Sequence, residues 1–163
     1  MTRQTIESYL YLMDAGFAGP DWHSLLSNLN TVTPEDWEWT PPSGARSIRD
    51  IVRHLGRVKV MAYDQAFGGA TLTWDDQQVD GDEATADLPT AIAWLRTNQE
   101  RLRSGVAALA DDAELLEPRR TNWGELRETR WIIAVTMIQH DLYHAGEINH
   151  IRALRQDNDA WED

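Results

Sequence analysis

Cysteine is absent from this 163-residue chain. Disulfides and thiolate ligands are therefore excluded, and any transition-metal site the sequence builds must draw on imidazole, carboxylate and water. Basic residues are scarce as well. Against 27 Asp and Glu stand only 15 Lys and Arg, a formal charge of −12, which disfavours partnership with nucleic acid or an anionic membrane. The acid lies in short clusters such as DDQQVDGDE and DDAE, read here as solvated surface. Long apolar runs are missing, and none approaches the roughly 20 residues needed to cross a bilayer. The opening MTRQTIESYLYLMDAGFAGP lacks the basic segment, apolar run and small-residue cleavage site of a signal peptide, so a cytoplasmic location is expected. What the chain does hold is apolar material for one core, 42% of its residues with eight Trp, and a single domain over 1–163 is expected.

The apolar spacing is helical. Ile6, Tyr9, Leu10 and Met13 form one stripe, which Gly16, Gly19 and Pro20 interrupt. It resumes with Trp22, Leu25, Leu26 and Leu29 behind Asp21 as a possible cap, so the first arm reads as two pieces or a kinked helix. After the turn-rich TVTPEDWEWTPPSGA, Ser47 is a plausible N-cap, with Asp50 at the third helical position, for a second helix reaching about Phe67. Its core-facing residues are Ile48, Ile51, Val52, Leu55, Val58 and Ala62, and Gly68 and Gly69 end it. Residues 70–86 read as a surface loop anchored by Trp74 and Val79. A third helix carries Leu88, Ile92, Leu95, Gln99, Leu102, Val106 and Leu109 at the spacing of a bundle seam. Gln99 breaks that seam, and it belongs at a hydrated edge, in a hydrogen bond within the core, or against a cavity with polar contents. Pro118 and EPRRTNWGE mark a connection, and from Glu128 to Asp157 a fourth helix follows with a single glycine, Gly146. With no convincing strand, the pattern predicts an all-α four-helix bundle whose long connections permit departures from up-down order.

Three of the five histidines fall in QHDLYHAGEINH, residues 139–150. At about 100° per residue, His140 and His144 point within about 40° of each other, as chelation of one ion requires. His150 points about 100° away, and is expected to pack at an edge or to make a hydrogen bond. The same face carries Ile133, Met137, Glu147, Ile151 and Leu154. Imidazoles in an apolar stripe are costly to bury without a partner. The third ligand must come from His23 or His54; His54, at the edge of the second helix's apolar stripe, is the better placed, whereas His23 sits near a chain break. Three neutral imidazoles leave coordination positions open, the catalytic rather than the structural pattern, and a centre of that kind makes a nucleophile of bound water or thiol near neutral pH. Glu147 could accept from an imidazole N–H or pair with an Arg such as Arg152. Asp141, about 80° off the ligand direction, reads as a helix-surface charge able to orient a neighbour. The rival reading is a non-catalytic metal- or small-ligand-binding module of stress or detoxification type.

SIRDIVRHLGRV around His54 and HDLYHAGEINHIRAL near the end resemble the motifs of the DinB/YfiT-like superfamily of bacterial metalloenzymes. Its pattern is one His on the second bundle helix and H-x-x-x-H on the last, followed by a Gly and an Arg, here His54, His140, His144, Gly146 and Arg152. The resemblance implies a four-helix bundle, frequently a homodimer, that holds zinc, nickel or iron on three histidines and acts on a small-molecule substrate. It further implies thiol S-transferase, isomerase or hydrolase chemistry, with a low-molecular-weight thiol such as mycothiol or bacillithiol as cofactor. One departure is Lys59, where members of the family often carry Glu five residues after the first ligand.

Overall fold

The computed structural model describes residues 2–20, 23–44 and 46–158; the possible cap Asp21 and the stripe residue Trp22 lie outside them. Helix α1 spans Gln4–Ala18, followed by the short α2 (Leu25–Leu29) and α3 (Pro34–Trp37), then α4 (Ile48–Phe67) and α5 (Leu88–Ala107). The last rod begins as α6 (Thr129–Ile132), widens into a π-helical stretch over Ile133–Gln139 and continues as α7 (His140–Gln156). Among the described residues no helix is long and apolar enough to cross a membrane.

Local signals set most of these boundaries. Ser47 Oγ accepts from the Asp50 N–H and Asp50 Oδ2 accepts from the Ser47 N–H, a reciprocal cap worth about 1 kcal/mol. The first arm departs from expectation. Gly16 does not interrupt α1, which runs on to Ala18 and is capped at Gly19. Gly16 is buried against Leu142 of α7, where even a Cβ would stay in ordinary contact at 3.4 Å.

The four long elements are α1, α4, α5 and the α6–α7 rod, but their order is not simple up-down. Trp94 of α5 fills the notch left by Gly56 on α4, and Phe67 of α4 fills the notch left by Gly105 on α5. These pairs rise together along both helices, so α4 and α5 are parallel. Arg3 and Asp14 of α1 meet Ala107 and Arg103 respectively, which sets α1 antiparallel to α5. Arg46 meets Glu147 and Lys59 meets Asp141, which sets α7 antiparallel to α4. Parallel neighbours require a chain return along the bundle. Residues 68–87 supply it, with Val79 buried as anchor and Trp74 43% exposed above α4.

The connection before the last rod is also more structured than expected. β1 (Pro118–Arg120) pairs antiparallel with β2 (Leu126–Glu128), Arg119 opposite Arg127. Thr121 closes the tip, its Oγ1 donating to the Glu125 carbonyl and accepting the Glu125 N–H, and Gly124 adopts φ +90°, open to glycine at little cost. The tip carries Asn122 and Trp123 toward the bundle.

Among the described residues the core has two large apolar parts and a small third one of Val60, Met61 and Val79. One large part gathers Leu25, Leu29, Ile51, Leu55, Leu95, Ile148 and their neighbours; the other gathers Ile6, Met13, Ala66, Leu102, Ile133 and Met137. Between these two lies a buried polar layer. Lys59 Nζ donates to both oxygens of Asp141, at 2.7 and 2.6 Å, and to Gln99 Oε1 at 2.9 Å. Gln99 Nε2 donates in turn to the Met13 carbonyl. Of the places open to Gln99, the structure takes the hydrogen-bonded one inside the core.

Candidate metal centre

His54 lies at the end of the second turn of α4, and His140 and His144 occupy the first turn and a half of α7. Because those helices are antiparallel at this level, the three rings face one another, with centroids 4.5–5.2 Å apart. All contacts run through Nε2. His140 Nε2 is 3.1 Å from His54 Nε2 and 3.2 Å from His144 Nε2. The start of α7 is set by the π-helical stretch, whose wider turn ends where the His140 N–H reaches the Val135 carbonyl, five residues back. Such insertions recur where a side chain must be re-aimed.

Electrostatics keep the cluster neutral. His54 is held down to about 4, first by burial and then by His144, Arg46 and Arg57. His140 is held down to about 3, by burial and by the two other rings, with Lys59 adding to them. Burial lowers His144 as well, while its hydrogen bond to Glu147 acts in the opposite sense.

One ring has its tautomer fixed. His144 Nδ1 is 2.7 Å from Glu147 Oε2, and a carboxylate cannot donate, so the proton sits on Nδ1 and the Nε2 lone pair turns toward the other rings. Glu147 is held by Arg46, whose Nε and Nη2 donate to Oε1 and Oε2 at 2.9 and 2.7 Å. That fork-to-fork pairing is geometrically specific. It corrects the pairing offered for Arg152, which is buried and donates instead to Asn149, Gln156 and the Asn158 carbonyl.

These residues suit a divalent cation. In tetrahedral coordination at an M–N distance of about 2.05 Å, two nitrogens lie about 3.3 Å apart, close to the separations between these Nε2 atoms. Three depressed imidazoles with converging lone pairs form a donor set that gains from a cation at its centre. Among the described residues, the group of His, Asp and Glu atoms close enough to share an ion is His54, His140 and His144. His23 and His150 are exposed and outside it.

Two expected neighbours sit differently. Asp141 is no surface charge; it is 2% exposed and locked to Lys59 behind His140. Burial pushes its carboxyl up, with Lys59 opposing the rise. Leu154, assigned to the ligand face, is 54% exposed. Sequence reasoning passed over Arg46, whose only signal is a cation at the mouth of a capped helix. Trp74 was given no part in the site, although the indole stacks 6.4 Å from the His54 ring and the Arg57 guanidinium lies 5.2 Å from the indole ring.

Among the described residues, openings reach the cluster beside His54 and beside His140, and Trp74 borders both. Beside His54, a cavity of about 460 Å³ is rimmed by Asp50, Arg53 and Arg57. Beside His140, a cleft of about 380 Å³ is walled by Val58, Met61 and Ala62 of α4, the return segment, and the hairpin tip.

The family model of the DinB superfamily matches residues 21–148, and the chain belongs to that superfamily. No curated protein matches it.

Proposed function

We propose that this member of the DinB superfamily holds zinc, nickel or iron on His54, His140 and His144 and is a metal-dependent enzyme of S-transferase, isomerase or hydrolase type. A divalent ion there would lower the pKa of a bound thiol or water into the neutral range. The observation that carries the reading is the direction of Glu147. As the nearest carboxylate it could have closed the donor set, but Arg46 and His144 Nδ1 take both of its oxygens, which leaves three protein donors and coordination positions for a reactant.

The chain's own residues have separable parts in this proposal. Glu147 and Arg46 hold the His144 tautomer. The Lys59–Asp141 pair fixes the start of α7, and with it His140, against α4. Trp74 covers the His54 ring and limits water on that side. The site is proposed to serve a small-molecule substrate in the cytoplasm, within a homodimer, and sedimentation of the purified chain reads the pairing.

Elemental analysis of untagged protein should find about one metal per chain in wild type and little in His144→Ala. Added zinc or nickel should raise the melting temperature of wild type alone. Absence of stoichiometric metal together with no response to added ion would end the proposal. Mycothiol or bacillithiol offered with a chlorobimane then separates the chemistries, since thiol-dependent conjugation supports transfer and its absence favours hydrolysis or the non-catalytic binding module.

A further inference from the structure

The cleft beside His140 differs in kind from the opening beside His54. Its walls come from α4, the return segment, the hairpin tip, Thr136 of the π-helical stretch and His140, and among the described residues no Asp, Glu, Lys or Arg lines it. In a chain where 26% of residues are charged, that composition matters. Away from the histidines, a charged group on a ligand in this cleft would lose its hydration with no counter-charge in the wall to replace it.

Two polar groups in the wall are incompletely matched, His140 at Nδ1 within the histidine cluster and, away from it, Gln65. Gln65 is 5% exposed, and its Nε2 donates to Asn122 Oδ1 of the hairpin tip at 2.9 Å. Its Oε1 is buried and, among the described residues, accepts nothing. A buried carboxamide oxygen without a donor is unusual enough to require a reason. Turning both amides over exchanges the roles and leaves a Gln65 N–H unmatched instead, so in either arrangement one hydrogen bond of the wall remains unmade. Thr136 Oγ1 donates to the Ile132 carbonyl, which leaves its lone pairs as a second acceptor in the wall.

We propose that this cleft binds an uncharged, compact organic substrate whose apolar body lies between Met61 and the indoles of Trp74 and Trp123, and whose amide- or hydroxyl-type group is read by the Gln65–Asn122 pair. The inference rests on the reading of the histidine cluster as a reaction centre, because it assigns the molecule that lies next to it. The size of the cleft, about 380 Å³, falls low in the range of roughly 300–1,000 Å³ typical of small-molecule sites. Gln65 is a specificity-determining residue in this scheme.

Benzamide is a suitable probe because it is flat, neutral and carries both a donor and an acceptor. Titrated into the full-length chain, with and without cobalt(II), it should shift the indole N–H signals of Trp74 and Trp123 in a heteronuclear NMR spectrum. Benzoate and benzylammonium, in the chain without added metal, should bind at least about tenfold more weakly, as desolvation of an unpaired charge requires. Gln65→Leu should weaken benzamide by about three- to tenfold, the loss of one hydrogen bond. Val58→Phe, which fills the cleft from its half-buried wall, should abolish binding while cobalt(II) uptake, read from its visible spectrum, is kept. Equal binding of benzoate in the metal-free chain, or undiminished benzamide binding in folded Val58→Phe, overturns the inference. So does the absence of any indole shift in a protein that takes up cobalt(II), a result that leaves the metal reading intact. Benzamide binding without cobalt(II) uptake supports the cleft and defeats the metal reading.

Discussion

Replacing Lys59 by Met tests whether the polar layer is held by charge. Lys59 and Asp141 side chains are 1% and 3% exposed and meet at 2.6 Å. At an effective dielectric of about 20 that contact is worth about 6 kcal/mol in gross attraction, most of it offset by removing both ions from water. Lys59→Met forfeits the attraction and keeps the buried carboxylate, with Gln99 Oε1 losing its donor as well, so a cost of about 3–5 kcal/mol is expected at neutral pH. For a chain of this size that is a drop in Tm of roughly 6–20 °C. The cost should depend on pH. Without the ammonium, burial of Asp141 is opposed only by His144, and its folded pKa then lies further above its ordinary value of 3.8. The folded variant holds a proton that the unfolded chain releases, so its deficit relative to wild type is smallest near pH 4 and grows as pH rises through the folded pKa. Urea melts at several pH values measure this directly, and pairing Lys59→Met with Asp141→Leu should restore most of the loss. A deficit below about 1 kcal/mol at pH 7, or one of equal size at pH 4 and pH 7, would refute the account, since an uncompensated buried charge cannot produce either.

Glu147→Gln should keep the fold and weaken zinc or nickel binding by about 10- to 100-fold, measured by competition with a chromophoric chelator, because the His144 tautomer loses its charged acceptor. In metal-free protein, stability should be full above the ordinary imidazole value of 6.5 and fall as pH drops toward the folded values of about 4 for His54 and about 3 for His140, since the unfolded chain takes up those protons first. Thermal melts in EDTA check this, and His140→Leu should flatten the slope; an unchanged slope would locate the acid sensitivity elsewhere. Gly56→Ala should destabilise by about 1–3 kcal/mol despite alanine's better helix propensity, because the new Cβ would sit 2.0 Å from the Trp94 ring. Combination with Trp94→Leu should recover that loss in chemical denaturation.

The long helices were legible because each carries its own periodic stripe, and the Ser47 cap because its residues are adjacent in the chain. Direction was not. Periodicity is the same read up or down, so nothing in the stripe of α4 or α5 announces that the two run parallel; the evidence is in Gly56 facing Trp94 and Gly105 facing Phe67, pairs that separate positions cannot reveal. The hairpin escaped for a different reason. Its strands are three residues each, PRR and LRE, too short to display alternation. The π-helical stretch defeats a uniform rotation of about 100° per residue over Ile133–Gln139, yet His140 and His144 lie beyond it on regular helix, and the angle between them was sound.

The site divides along the same line. His54, His140 and His144 could be proposed from helical spacing, whereas Arg46 and Lys59 find their partners 101 and 82 residues away and carry charges that hydropathy assigns to the surface. One signal did exist. Gln99 interrupts an otherwise apolar seam, and a polar residue tolerated there requires polar company from the helices packed on it. Lys59, sitting where the superfamily often has an acid, was the second half of that signal. Together they anticipate a buried layer rather than two isolated oddities. In the fold the layer divides the two large apolar clusters and abuts His140 through Asp141, so the departure at Lys59 is compensated by a carboxylate on the opposite helix. Charge balance within the layer, rather than the identity of the residue at 59, is therefore what the bundle must preserve to keep His140 in place.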